Sequence, residues 1–107
     1  VAKRVVYVSK ETYRMIRMFA IGRTHDEVVR DAVVGIVEGG GGYVIDFPRS
    51  DEKYRIEVSE DTHYLINRLK IELDYRTQDD LLFDVMVNYL RKKGMSSVCI
   101  RELLEVE

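Results

Sequence analysis

From Arg4 to Val8 the chain runs Arg-Val-Val-Tyr-Val, with Val6 and Val8 at alternate positions, and the pattern stops at Ser9. It returns from Tyr54 to Val58 and stops at Ser59. A period of two predicts strands, because alternate side chains point to opposite faces. Val6 and Val8 share one face of the first strand, as Ile56 and Val58 do in the second. The other face carries Lys3, Val5 and Tyr7 in the first and Lys53, Arg55 and Glu57 in the second. Each strand buries one side only and is too short to stand alone, so each needs a partner. The nearest candidate is the other copy.

After each serine the period becomes helical. Ser9 is placed to cap a helix whose Met15, Ile16 and Phe19 recur at helical spacing, ending near Ala20 or Ile21, with Gly22 suited to a left-handed C-terminal position. Thr24 and Glu27 then form a Thr-x-x-Glu capping box. It opens a second helix with a buried stripe of Val28, Val29, Ala32, Val33 and Ile36, stopping at Gly39. The segment from Gly39 to Glu52 reads as a linker, with four glycines at its start and the chain's only proline, Pro48. Its Tyr43-Val44-Ile45-Asp46-Phe47 is too apolar for an idle tether and is expected on the surface of the core, a short strand being one form open to it.

The second half repeats the order. Ser59 caps a helix with apolar positions at Leu65, Ile66, Leu69 and Ile71. Thr77 caps the next, with Asp80 where Glu27 stood. Leu81, Leu82, Val85, Met86, Tyr89 and Leu90 form its stripe; Arg91, Lys92 and Lys93 suit the helix C-terminus, and Gly94 ends it. At an offset of fifty, Val8, Ser9, Thr12, Ile16 and Ile21 match Val58, Ser59, Thr62, Ile66 and Ile71. Three further residues then enter, and at fifty-three Arg23, Thr24, Asp26, Asp31 and Val34 match Arg76, Thr77, Asp79, Asp84 and Val87. Core, cap and turn positions match while exposed ones vary, as two copies of one structural unit require. The tail from Met95 to Glu107 is ambiguous: Val98 and Ile100 alternate like a strand, while Glu102, Leu103 and Leu104 suit a helix.

Composition narrows the class. At 107 residues, 46% hydrophobic and 34% charged, the chain suits one small, well-solvated domain. A lone cysteine, Cys99, excludes an internal disulfide and fits a reducing, cytoplasmic setting. No signal peptide is visible, and no apolar run is long enough to span a membrane. The net charge of −2 argues mildly against nucleic acid, but its distribution changes the picture. From Val1 to Thr24, Lys3, Arg4, Lys10, Arg14, Arg17 and Arg23 face the single acid Glu11. From Ser50 to Thr77 acids outnumber bases seven to five. One repeat presents a basic surface and the other does not.

Strand, Ser cap, helix, short turn, Thr cap, helix: this order resembles the ribbon-helix-helix (Arc/met repressor-like) family of DNA-binding proteins. The resemblance covers roughly residues 3–38 and 53–93, and is most specific at Gly22-Arg23-Thr24-His25-Asp26-Glu27-Val28-Val29-Arg30. It implies a mainly α fold with a short two-stranded antiparallel β-ribbon. Here two tandem units on one chain would form an intramolecular pseudo-dimer: repeat 3–38, linker 39–52, repeat 53–93 and tail 94–107. A linker of this length reaches roughly 45 Å at about 3.3 Å per residue, enough to cross a small domain. Symmetry places Val5 opposite Arg55, Lys3 opposite Glu57 and Tyr7 opposite Lys53.

In that family the outward ribbon face reads bases in the major groove. The resemblance therefore implies base contacts from Lys3, Val5, Tyr7, Lys53, Arg55 and Glu57. Arg55 suits guanine O6 and N7, Val5 a thymine methyl, and Glu57 cytosine N4. The alternative is a solvated or partner-covered ribbon. Thr24 and His25, with Thr77 and Gln78, begin the second helices, where free amides and the helix dipole bind phosphate; Arg23 and Arg76 lie just before them. Ordinary capping is the simpler reading there, and Asp26, Asp79 and Asp80 oppose phosphate. His25, His63 and Cys99 match no metal-ligand spacing, and Asp79-Asp80 reads as helix-start charge. No nucleophile elbow, P-loop or dinucleotide fingerprint is present. The expectation is a sequence-specific double-stranded DNA-binding protein, a repressor acting by occupying its operator, without cofactor, enzyme activity or membrane partner. Self-association of pseudo-dimers stays open. The rivals are an interaction module of the same fold without DNA, and an antitoxin-like autorepressor.

Overall fold

A computed structural model describes residues 2–105; Val1, Val106 and Glu107, which belong to the basic segment and the tail discussed above, lie outside the described residues. The chain is mainly helical, with one two-stranded antiparallel sheet. In order, it runs β1 (Lys3–Ser9), α1 (Lys10–Met18), α2 (His25–Gly39), β2 (Lys53–Ser59), α3 (Glu60–Glu72), α4 (Gln78–Lys92) and α5 (Ser97–Glu105).

The two strands pair along their full lengths, but two residues away from the expected register. Val6 lies opposite Ile56, Tyr7 opposite Arg55, Val5 opposite Glu57, Lys3 opposite Ser59 and Ser9 opposite Lys53. The expected partners Val5–Arg55, Lys3–Glu57 and Tyr7–Lys53 are therefore corrected. The buried face decides the register. The observed pairing sets Val6 on Ile56, Val8 on Tyr54 and Val58 on Arg4, whereas the expected one would have left Val8 against Glu52 and Val58 against Ala2. A two-residue slip preserves which side chains face outward, so the face assignment holds. Val6, Val8, Ile56 and Val58 are buried beneath the ribbon.

Local capping sets the helix starts. The Ser9 and Ser59 hydroxyls accept from the amides of Thr12 and Thr62. Thr24 and Glu27 form the reciprocal capping box, and Thr77 accepts from the Asp80 amide. α1 stops at Met18, two residues before the expected end. Gly22 and Gly94 adopt the left-handed conformations that end their segments, at φ 72° and 96°. The three extra residues of the second half lengthen α3 to 13 residues against 9 in α1. Ile71 is 78% exposed and its repeat partner Ile21 is 90% exposed, so this matched apolar pair is not a core position.

α4 is the central helix and touches α1, α2, α3, α5 and β1. Its whole expected stripe is buried, and so are Phe83, Val87 and Asn88. The segment 43–47 forms no strand. It is held as an irregular strap: the Tyr43 amide donates to Asn88 Oδ1 at 3.1 Å, the Asn88 amide group donates back to the Tyr43 carbonyl at 3.1 Å, and Ile45 is buried. Within the tail, Ser97–Glu105 form a helix. α5 buries Ile100 and Leu104 against α1 and α4, and Arg14 donates to the carbonyls of Leu103 and Leu104. No helix among the described residues is long and apolar enough to cross a membrane.

Candidate nucleic-acid interface

The outer face of the ribbon is exposed. Lys3, Tyr7, Lys53, Arg55 and Glu57 are exposed there and Val5 is half-buried. Three cations thus share the face with one carboxylate. Glu57 is held by Arg55 of its own strand at 3.7 Å, both side chains being more than half exposed. Exposed pairs of this kind are worth about 0–1 kcal/mol, so Arg55 can leave Glu57 for a stronger acceptor.

One helix start opens directly beside this face. Lys3, Thr24, His25, Arg55 and Glu57 line a shallow cleft of about 400 Å³ between the ribbon and the N-terminus of α2. The capping box uses the amides of Thr24 and Glu27. The amides of His25 and Asp26 have no intrahelical partner, as at any helix start. The His25 ring is set by the edge of Tyr13 at 5.6 Å, and Tyr13 stacks on Tyr54 of β2 at 4.7 Å. This aromatic column ties the helix start to the ribbon. It joins residues distant in sequence, and no local pattern announces it.

The aspartates that opposed phosphate at these helix starts are turned into the fold. Asp26 accepts from the Ser59 amide at 2.8 Å, and Asp79 accepts from the Ser9 amide at 2.8 Å and the Ser9 hydroxyl at 3.1 Å. Each second helix of one half therefore caps the first helix of the other. Burial alone would raise the Asp26 carboxyl. Hydrogen bonds from Ser59 and Thr62 and the charge of Lys3 outweigh it and hold the group below its ordinary value. Asp80 behaves alike: burial raises it, but Arg49 and Thr77 carry it below the usual range. Arg49 pairs with both Asp79, at 3.2 Å, and Asp80.

The two flanks consequently differ. At α4, Gln78 donates to Asn67 at 2.8 Å, and the strap reaches the helix start through Arg49. Arg76 and Thr77 are exposed beside them. At α2 the start is open, but Arg23 folds back onto its own helix, donating to Asp31 at 2.7 Å and to the Tyr89 hydroxyl at 3.2 Å. Those two bonds, Tyr89 first, raise its pKa above the ordinary arginine value. Any phosphate contact by Arg23 has to compete with Asp31. Arg4, Lys10, Arg14 and Arg17 were visible in the charge distribution but assigned no role. Lys10 and Arg17 line a small cleft with Tyr13, Arg14 and Tyr54 on the α1 side of the ribbon. Arg14 is committed to α5, which leaves Lys10 and Arg17 as the cations of that flank. His63 lies apart from His25, within 3.3 Å of Asn67.

Comparison of the chain with protein-family models, curated proteins and solved structures finds no match.

Proposed function

We propose that the chain is a tandem ribbon-helix-helix pseudo-dimer that binds double-stranded DNA sequence-specifically and acts as a transcriptional repressor. The observation that carries this reading is the exposed outer face of the β1–β2 ribbon, with Lys3, Lys53 and Arg55 on it and the open start of α2 beside it. A two-stranded ribbon fits the major groove, where Arg reads guanine O6 and N7. The reciprocal caps of Asp26 on Ser59 and Asp79 on Ser9 support the two-fold reading, since equivalent residues make equivalent bonds across the halves. In this reading the pseudo-dyad passes through Val6 and Ile56, the pair whose members are equivalent in the sequence repeat.

Base contacts come from Lys3, Val5, Tyr7, Lys53, Arg55 and Glu57, the Val5–Glu57 and Tyr7–Arg55 pairs flanking the centre of the ribbon. Phosphate contacts come from the α2 start at Thr24 and His25, from Arg23 when it leaves Asp31, and more weakly from Arg76, Thr77 and Gln78. Site selection from random duplex DNA, followed by titration of the selected site, tests the proposal. Arg55→Ala should cost about 1–3 kcal/mol on that site and relax its sequence preference. Failure to enrich any site, with no binding to duplex DNA at low salt, would refute it. The Arg55–Glu57 pair and the 60% exposed Tyr7 favour a second reading, a protein-binding ribbon of the same fold. That same failure to bind DNA would favour it.

A further inference from the structure

The two halves treat one groove differently. In the second, α5 lies against α1 and α4 alone, with Ile100 and Leu104 buried and its C-terminal carbonyls held by Arg14. The sequence repeat equates α1 with α3 and α4 with α2, Arg14 falling on the place of Tyr64. The matching groove, between α2 and α3, has about 490 Å³ and, among the described residues, no helix over it. After α2 the chain turns away through Gly40 and Gly42, at φ 70° and 131°, and Tyr43 is fixed to Asn88 of α4 instead. Val37, Tyr64 and Leu73 are left half exposed or more along the groove, with Ile71 beside them.

We infer that this groove is a self-association surface, and that its occupant is α3 of a second copy of the chain. Contiguous exposed apolar side chains mark interaction sites, and the covered groove on the other half takes an amphipathic helix. The chain itself supplies a matching one. Tyr64, Arg68 and Ile71 recur on α3 at i, i+4 and i+7, on its solvent side. The charges at the groove are self-complementary. Arg68 and Glu72 pair within α3 at 2.9 Å, both exposed. In an antiparallel α3–α3 crossing, Arg68 of each copy meets Glu72 of the other. A two-fold contact then fills both grooves at once and closes. α3 leaves the ribbon at Ser59 and the groove covers its later turns, so the ribbon faces stay free. The inference rests on the two-fold relation of the halves and not on DNA binding.

Sedimentation velocity of the full chain without DNA tests it, over about 1 to 200 µM, where a contact of micromolar affinity is populated. The expected result is a concentration-dependent monomer–dimer equilibrium. Leu73→Lys should abolish the dimer. Arg68→Glu and Glu72→Arg should each weaken it about tenfold, since each variant loses two symmetric pairs and gains repulsion, and the double exchange should restore it. Circular dichroism checks that each variant keeps its helices. A wild-type chain that is monomeric throughout overturns the inference, as does a dimer unmoved by Leu73→Lys or not rescued by the exchange. A chain that dimerises in this way but binds no DNA would count against the proposed function alone.

Discussion

The two reciprocal caps differ in burial, and that difference can be measured. Asp79 is 6% exposed and accepts from the Ser9 amide, the Ser9 hydroxyl and Arg49. Asp79→Ala strands a buried amide at the end of β1, and a buried unsatisfied donor costs about 1–3 kcal/mol. It also removes a charge-assisted bond to the hydroxyl and one arm of Arg49, which keeps Asp80. Together these come to about 3 kcal/mol, a large fraction of the roughly 5–15 kcal/mol that a domain has. Asp26 holds the Ser59 amide, with the Ser59 and Thr62 hydroxyls beside it, and Ser59 is less buried than Ser9, so water can replace the carboxylate. Asp26→Ala should cost about 1 kcal/mol. Asp79→Asn keeps an acceptor for the amide but loses the charge, and should fall between them. Urea unfolding followed by circular dichroism gives all three values. With m about 1.5 kcal/mol/M, Asp79→Ala moves the midpoint by about 2 M. An Asp79→Ala cost no greater than that of Asp26→Ala would refute the reasoning, because the argument depends on burial rather than on the bond alone.

Lys10→Ala with Arg17→Ala should weaken binding to all duplexes and shallow its salt dependence, read from titrations at several salt concentrations; an unchanged slope removes both from the interface. Asp26 is held below its ordinary pKa, so its contribution is complete above the unfolded value, about 3.9, and is lost as pH falls through the folded one. Acid unfolding of Asp26→Asn should therefore be less steep below about pH 4 than that of the wild type. Each chain should select a non-palindromic subsite protected more strongly on the α2 side, because the α4 start is joined to the strap; equal footprints on both halves would contradict this.

The features legible in the sequence were those settled within a few residues. Ser9, Ser59, Thr77 and the Thr24–Glu27 box cap from adjacent positions, and Gly22 and Gly94 declare themselves by backbone freedom. Strand faces were legible because alternation survives any even slip. Register was not, since it depends on which inward residues meet, and the expected symmetry had been centred on the outward Val5 and Arg55. The roles of Asp26 and Asp79 were hidden for a related reason. At a helix start either residue reads as dipole-favoured charge, and only the tertiary fold brings Ser59 and Ser9 to them. Asn88 shows the same limit. It is a polar residue on an apolar stripe, with its partner, Tyr43, in a segment that carries no periodicity.

These long-range bonds also bear on how the proposed interface is held together. A ribbon reads bases only if its height over the helix starts is fixed, because the same side chains must reach base edges while the flanking amides reach phosphate. Local caps cannot fix that height; each orders one helix end. Asp26 sits in the first turn of α2 and grips the end of β2, while Asp79 sits in the first turn of α4 and grips the end of β1. Tyr13 adds a third tie by packing against both Tyr54 and His25. The carboxylates that would repel phosphate if they faced solvent are thus the groups that join each helix start to the ribbon. The cost of placing acid beside an anion site is reduced by the amide hydrogen bonds that take up its charge. An acidic net charge and a basic, ordered ribbon face are therefore compatible in one small chain.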